Sequence, residues 1–289
     1  MAVHILTDST CDLTGELTER FHVTVLPLFV TLNDAEYRDG VNIHAPDVFR
    51  AVEMGAPLPK TAAVPVSDYA DCFRSIREND PEAEIVCIAI SAKFSSCYQN
   101  ACIAAADFAH HVYVVDSMNL STGIGLVVLE AAELAQEGKT GAEIAEHLQK
   151  NVIPYVDASF IVDRLDYLRK GGRCSAVAAL GANLLKLKPC IAVKDGAMGV
   201  AKKYRGTFVH CVTEYVREQL ADRGSIRNKR IFITHAAASE EAVKAAADAI
   251  KEAGGFSEVL VTQAGCTISS HCGPNTLGVL FIRNQEEEA

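Results

Sequence analysis

Residues 84–117 read EIVCIAISAKFSSCYQNACIAAADFAHHVYVVDS and contain two apolar runs on either side of an Ala-rich segment. The runs 84–91 and 111–117 have the composition and length of buried strands, whereas the segment 95–109 has the composition of a helix. A strand, a helix and a second strand in this order form a right-handed βαβ unit with parallel strands. The segment therefore predicts a parallel sheet that helices cover on both faces.

The same alternation continues through the rest of the first half of the chain. An apolar strand at 4–9 and a β-rich stretch at 23–32, with an edge or a bend at Pro27, add to the sheet. Helices are predicted from a stripe of Leu13, Leu17 and Phe21, over 46–54, from an N-cap at Ser67, over 120–137, and after a capping box of Thr140 and Glu143. The fold class is thus α/β, and we predict an N-terminal three-layer α/β/α domain over residues 1–155.

The second half of the chain has a different pattern, which predicts an α+β domain with a mixed sheet over residues 156–284. Residues 188–206 resemble a hairpin around Asp195-Gly196. The other predicted elements are a strand at 159–164 with a short helical turn after it, helices at 176–186, 208–222 and 239–253, and strands at 230–235, 257–263 and 277–283. Residues 285–289 form an acidic tail.

Composition and charge exclude several classes of function. The 289 residues include 27 Lys and Arg against 37 Asp and Glu, which gives a net charge of −10 and disfavours binding to nucleic acids or to anionic lipid surfaces. The start of the chain lacks a secretory signal and no apolar run is long enough to cross a membrane, so we expect a cytoplasmic protein whose ten cysteines are free thiols. The sequence has no CxxC, no Walker loop and no G-x-G-x-x-G after a strand, so we expect no metal and no cofactor.

Three predicted strands end in small polar residues. The strands run into Thr7-Asp8-Ser9-Thr10, into Ser91 and the loop up to Ser96, and into Asp116-Ser117. The carboxyl ends of parallel strands share one edge of a sheet, where α/β proteins bind ligands at a topological switch point. The same residues are also the preferred N-caps of helices, so each of them has a structural interpretation beside the functional one.

Two polar segments are candidate binding sites. Ser95 and Ser96 open the predicted helix 95–109, and a helix start offers free N–H groups to an anion. Residues 265–275 are rich in polar and turn residues between two strands and include Cys266, His271 and Cys272. The spacing of these three residues matches no common zinc pattern, and His271 alone is also consistent with a surface or capping role.

Nine short motifs together resemble the DegV family over essentially the whole chain. They occur in the order TDSTCDL (7–13), YRDG (37–40), PKT (59–61), ISAKFSSCYQNA (90–101), VVDS (114–117), LDYLRKGGRCS (165–175), KPCI (188–191), YRG (204–206) and SSHCGPNTLG (269–278). The resemblance implies a non-catalytic protein that binds one long-chain fatty acid, such as palmitate or oleate, between two α/β domains. It also implies a bacterial partner, an ATP-binding fatty acid kinase subunit, which phosphorylates the bound carboxylate to an acyl phosphate.

The resemblance also implies roles for particular residues. Thr61 and Ser95 match the residues that donate hydrogen bonds to the carboxylate, and His271 matches the histidine beside it. Ser96 is placed in the same carboxylate site, and Arg205 matches the arginine that engages the kinase. The chain departs from the family at Ala62-Ala63-Val64, where a polar Ser/Gln pair is common, and this change puts part of the headgroup site in question.

Two other functions are compatible with the residues. A serine hydrolase would use Ser95 and His271 with Asp8 or Asp116, although Ser95 lacks the G-x-S-x-G elbow. A regulatory interaction protein would bind no lipid.

Overall fold

The computed structural model describes residues 2–108, 110–174 and 187–285. The predicted helix 176–186 and residues 286–289 of the predicted tail lie outside the described residues. The described strands are β1 Val3–Asp8, β2 Val23–Leu26, β3 Phe29–Leu32, β4 Ala35–Arg38, β5 Lys60–Ala62, β6 Glu84–Ala89, β7 Val112–Asp116, β8 Val156–Val162, β9 Leu187–Lys194, β10 Ala197–Arg205, β11 Ile226–Ala236, β12 Glu258–Gln263 and β13 Thr276–Arg283. The described α-helices are α1 Gly15–Arg20, α2 Ala45–Glu53, α3 Val66–Asn79, α4 Cys97–Ala105, α5 Thr122–Gln136, α6 Gly141–His147, α7 Asp166–Gly171, α8 Phe208–Gln219, α9 Glu240–Ala253 and α10 Cys266–Cys272.

The first half of the chain forms a four-stranded sheet, the parallel sheet, in the order β2-β1-β6-β7. All its neighbouring strands are parallel, which confirms the prediction from the βαβ pattern. The chain moves from β1 to β2 on one side and later adds β6 and β7 on the other side. The switch point therefore lies at the carboxyl ends of β1 and β6, where the predicted polar strand ends are neighbours.

The second half forms a mixed sheet, as predicted, and its six strands lie in the order β10-β9-β8-β13-β11-β12. The β9–β10 hairpin turns at Asp195 and Gly196, with φ of 48° and 75°, which is the left-handed backbone that a two-residue turn requires. The tip of this hairpin reaches the parallel sheet, because the Ser91 hydroxyl donates a hydrogen bond of 2.8 Å to the carbonyl of Gly196. The hairpin thus contributes to the wall of the site described below.

A third, three-stranded sheet in the order β4-β3-β5 was not predicted. Pro27 separates β2 from β3, so the β-rich stretch 23–32 is divided between two sheets. In the new sheet β3 pairs antiparallel with β4 and with β5, and Thr61 of β5 lies opposite Val30. Strands β4 and β5 are short and largely polar, so the sequence pattern gave no signal for them.

Helix α5 lies between the parallel sheet and the six-stranded sheet and contacts strands of both, β1 and β6 on one side and β8 and β13 on the other. This position explains its apolar composition, since it is buried almost all round. Gly125 has space for no side chain, because a Cβ there would lie 2.9 Å from Leu13 Cδ2 and 3.1 Å from the carbonyl oxygen of Cys11. Helix α5 therefore packs closely against the segment that follows β1.

Three local predictions differ from the structure. Helix α3 begins after Pro65, and the Ser67 side chain bonds to Asp68 instead of capping the helix. Helix α4 begins at Cys97, two residues after Ser95. The polar segment after β12 contains the helix α10, where a connection rich in turn residues was expected. The capping box of Thr140 and Glu143 is confirmed.

Within the described residues, no helix is long and apolar enough to cross a membrane. All described strands of the six-stranded sheet follow residue 155, but α10 packs back against α2 and against β3 and β5 of the first half. A division of the chain at residues 155 and 156 stays a prediction.

Candidate functional site

The described residues line an open cavity of about 430 Å³ at the carboxyl edge of the parallel sheet. Its walls come from β5, from the loop between β6 and α4, from α10 and from Met198 of the hairpin. Thr61, Ser95, Ser96 and His271 all line this cavity, so the structure brings the four predicted headgroup residues together. The volume lies within the range of cavities that bind small molecules.

Thr61 and His271 are in direct contact although 210 positions separate them in the sequence. The hydroxyl oxygen of Thr61 lies 2.9 Å from Nε2 of His271. Strand β5 holds Thr61 at the edge of the three-stranded sheet, and α10 presents His271 from the other side. The contact therefore joins the two halves of the chain at the cavity wall.

His271 is a neutral imidazole at neutral pH. Burial lowers its pKa to about 4, and the positive charge of Arg173 contributes in the same direction. Its Nδ1 is buried and has no hydrogen-bond partner among the described residues. Gly171 makes this position possible, since a Cβ there would lie 2.5 Å from Nδ1.

Ser95 and Ser96 occupy the start of helix α4. The Ser95 hydroxyl donates to the sulfur of Cys97 at 3.2 Å and accepts the Cys97 N–H at 3.3 Å, while Ser96 is the N-cap residue without a side-chain cap bond. A thiol sulfur is a weak hydrogen-bond acceptor. The Ser95 hydroxyl therefore gives up only a weak hydrogen bond when it donates to an oxygen instead. Free N–H groups at the helix start add a partial positive charge to the same wall.

A small apolar pocket, the channel, adjoins the cavity. The channel has a volume of about 30 Å³ and shares Leu120, Ile268 and Cys272 with the cavity. Its other lining residues come largely from strands of the six-stranded sheet and include Phe160, Ala236 and Leu280. The combined space is therefore polar at one end and apolar at the other.

Two carboxylates from the first half of the chain hold the start of α10, and sequence reasoning missed them. Asp39 accepts the N–H groups of Cys266 and Thr267 at 2.8 and 2.9 Å, and Asp12 accepts the N–H of Gly265 at 2.8 Å. Carboxylates favour the positive end of a helix. Asp39 belongs to the YRDG motif, but the sequence alone assigns it no partner.

The environment of these carboxylates is strongly desolvated. Burial raises the pKa of Asp12 to about 8, and the charges of Asp39 and Asp8 add to the shift, whereas hydrogen bonds from Ser121 and Gly265 oppose it. Burial also raises the pKa of Asp8. Burial of Asp8 and Asp12 therefore favours their protonated forms.

The geometry does not assemble the serine hydrolase alternative. Such an enzyme needs a hydrogen bond from the serine to the histidine and a third group that orients the histidine. The structure pairs Ser95 with Cys97 and His271 with Thr61. Asp8 instead caps the turn that follows β1, as the structural interpretation predicted, and Asp116 accepts the N–H groups of Ala92 and Met118.

Arg205 lies apart from the cavity. It is exposed at the end of β10, seven residues from the cavity-lining Met198, which corresponds to roughly 23 Å along a strand. A role for Arg205 would therefore involve a partner and not direct contact with a ligand in the cavity.

The chain is similar in sequence to known proteins along almost its whole length. A sequence model described as uncharacterised proteins of the DegV family matches residues 2–284. A DegV domain-containing protein of Clostridium acetobutylicum is 32% identical over 281 residues, which cover 97% of this chain and 98% of that protein. A protein of Thermotoga maritima named as a fatty acid-binding protein is 27% identical and covers 96% of both chains.

The fold is also similar to solved structures. A structure from Thermus thermophilus, described as fatty acid binding of a DegV family protein, superimposes with a TM-score of 0.89 and 33% sequence identity. The match covers 98% of this chain and 100% of the Thermus chain.

Proposed function

This chain belongs to the DegV family, and we propose that it binds one long-chain fatty acid in the cavity and its channel. The carboxylate lies among Thr61, Ser95, Ser96 and His271, and the acyl chain extends into the channel. The fatty-acid-binding relatives support the ligand class.

The polarity of helix α10 is the observation that carries the proposal. Thr267 and His271, one turn apart, line only the cavity, whereas Ile268 and Cys272, also one turn apart, line both the cavity and the channel. The helix thus presents a polar stripe beside an apolar stripe. An amphiphile with a polar head and a long apolar tail matches this division.

The free energies of burying the acyl chain and the carboxylate favour a fatty acid as the ligand. Burial of about 15 methylene groups at about 0.8 kcal/mol each contributes roughly 12 kcal/mol. An unpaired carboxylate would cost several kcal/mol to bury. Donors on Thr61, Ser95 and the start of α4 offset this cost, because hydrogen bonds to charged groups are stronger than those between neutral groups.

The contact between Thr61 and His271 leaves the Thr61 hydroxyl free to act as one of these donors. In the neutral imidazole one ring nitrogen donates and the other accepts. With the proton on Nε2, His271 donates to the Thr61 oxygen, and the Thr61 O–H remains free for a carboxylate. Binding would then need no proton transfer from His271.

The proposal predicts that the carboxylate contributes much of the affinity. Palmitate and hexadecanol have the same apolar tail and differ in the headgroup. Because one hydrogen bond to a charged group contributes about tenfold in affinity, we expect palmitate to displace a fluorescent fatty acid at a concentration at least about tenfold lower than hexadecanol. Equal displacement by the two compounds would contradict a headgroup site in this cavity.

We further propose that the bound carboxylate is presented to a separate ATP-dependent kinase subunit. The cavity opens on its headgroup side, where the exposed Lys93, Ser96 and Arg173 line it, so a partner can reach the carboxylate. In the reaction a carboxylate oxygen bonds to the γ-phosphorus of ATP while ADP leaves. The family resemblance supports this role, and Arg205 is its proposed contact on the protein surface.

Replacement of Arg205 by alanine should therefore separate binding from phosphorylation. We expect Arg205→Ala to bind palmitate like the wild type, because Arg205 lies about 20 Å or more along β10 from the cavity lining. With the kinase subunit and ATP, acyl phosphate formation should fall about tenfold or more, as for loss of one charged contact at an interface. Arg74→Ala, which removes an exposed arginine of α3, is the control, and normal phosphorylation of the Arg205 variant would exclude the contact.

A further inference from the structure

Helix α10 carries a second polar residue, Thr267, that is among the residues lining the cavity and has no assigned role. Thr267 lines the cavity with His271, yet the residue is only 5% exposed. Its hydroxyl oxygen is buried and has no hydrogen-bond partner among the described residues. Such a buried hydroxyl costs about 1–3 kcal/mol unless a partner satisfies it.

The described residues that line the cavity supply no hydrogen-bond partner for this hydroxyl. Ala62 and Ala63, which also line the cavity, offer no polar side-chain atom, and Ile268 and Cys272 form the apolar stripe. The backbone N–H of Thr267 is fixed by Asp39 at 2.9 Å. The position of the residue is thus set by the fold, while its hydroxyl is left unpaired.

We propose that Thr267 is a further headgroup-binding residue, whose hydroxyl donates a hydrogen bond to a carboxylate oxygen of the bound fatty acid. This inference rests on the proposed fatty-acid function. Thr267 lies one turn before His271 on the same face of α10, so the two Cβ atoms are about 5–6 Å apart. A carboxylate has two oxygens and about four acceptor positions, so it can accept from Thr61 and Thr267 together.

The helix also contains a matched control. Ser270 is 3% exposed, and its hydroxyl oxygen is likewise buried without a partner among the described residues. Ser270 is not among the residues that line the cavity or the channel. A comparison of Thr267 with Ser270 therefore separates contact with the ligand from the general effect of an unpaired hydroxyl in this helix.

The test is a palmitate titration of delipidated protein. We expect Thr267→Val to raise the Kd for palmitate about tenfold, Thr267→Ser to stay within about twofold of the wild type, and Ser270→Ala to leave the Kd unchanged. The serine variant keeps the hydroxyl, so its rescue distinguishes a hydrogen bond from altered packing. Thermal melting of each variant shows that it is folded.

The outcomes separate this inference from the proposed function. If the wild type binds palmitate and Thr61→Val weakens binding while Thr267→Val does not, the role of Thr267 is overturned and the fatty-acid site stands. An equal loss in Thr267→Ser and Thr267→Val would also overturn it. If the wild type binds no fatty acid, both proposals fail.

Discussion

Replacement of Thr61 by valine is expected to raise the Kd for palmitate about 10- to 100-fold. The variant removes the proposed donor to the carboxylate, and a hydrogen bond to a charged group contributes about 1.5–3 kcal/mol. It also leaves Nε2 of His271 without its partner at 2.9 Å. Valine keeps the shape of threonine, so a loss of affinity reports on the hydroxyl.

Fluorescence displacement or calorimetry measures this change. Thr31→Val is a suitable control, because Thr31 lies on β3 beside β5 and is not among the residues that line the cavity. Wild-type affinity in the Thr61 variant would show that the carboxylate binds elsewhere.

Replacement of Asp39 by alanine is expected to lower the free energy of unfolding by about 3 kcal/mol. The carboxylate accepts the N–H groups of Cys266 and Thr267 and the Ser9 hydroxyl, and it is 3% exposed. Its loss leaves two buried N–H groups unpaired at about 1–3 kcal/mol each. The first turn of α10 would then lose its anchor to the first half of the chain.

Urea denaturation followed by circular dichroism measures the effect of Asp39→Ala. The control is Asp68→Ala, which breaks a partly exposed ion pair with Arg38, and such pairs contribute about 0–1 kcal/mol. A change below 1 kcal/mol in the Asp39 variant would show that Asp39 does not anchor α10.

The parallel sheet and the hairpin could be predicted from the sequence because their signals are local. The apolar runs 84–91 and 111–117 flank a helical segment, and Asp195-Gly196 provides the left-handed turn that the hairpin needs. The sequence pattern indicated Ser95, Ser96 and His271 as candidates, but Thr61 could be named only through the family resemblance, since nothing near it in the sequence points to His271. Their common cavity is a consequence of tertiary structure.

Helix α10 could not be predicted because its residues have modest helix propensity and the helix is short. The segment CTISSHC contains Thr, Ile and Ser residues, which have modest helix propensity, and a helix of seven residues is too short to be stable alone. It forms because Asp12 and Asp39, more than 220 positions away in the sequence, accept its first N–H groups. The polar stripe of Thr267 and His271 exists only once this helix is in place.

Native mass spectrometry of the purified protein tests most directly whether one fatty acid occupies the cavity. We expect an excess mass that equals a single long-chain fatty acid and disappears on denaturation, with the same species found in the lipid extract. Delipidated protein should take up one palmitate per chain when it is titrated. A clean apo mass that stays unchanged after incubation with palmitate and oleate would contradict the fatty-acid site.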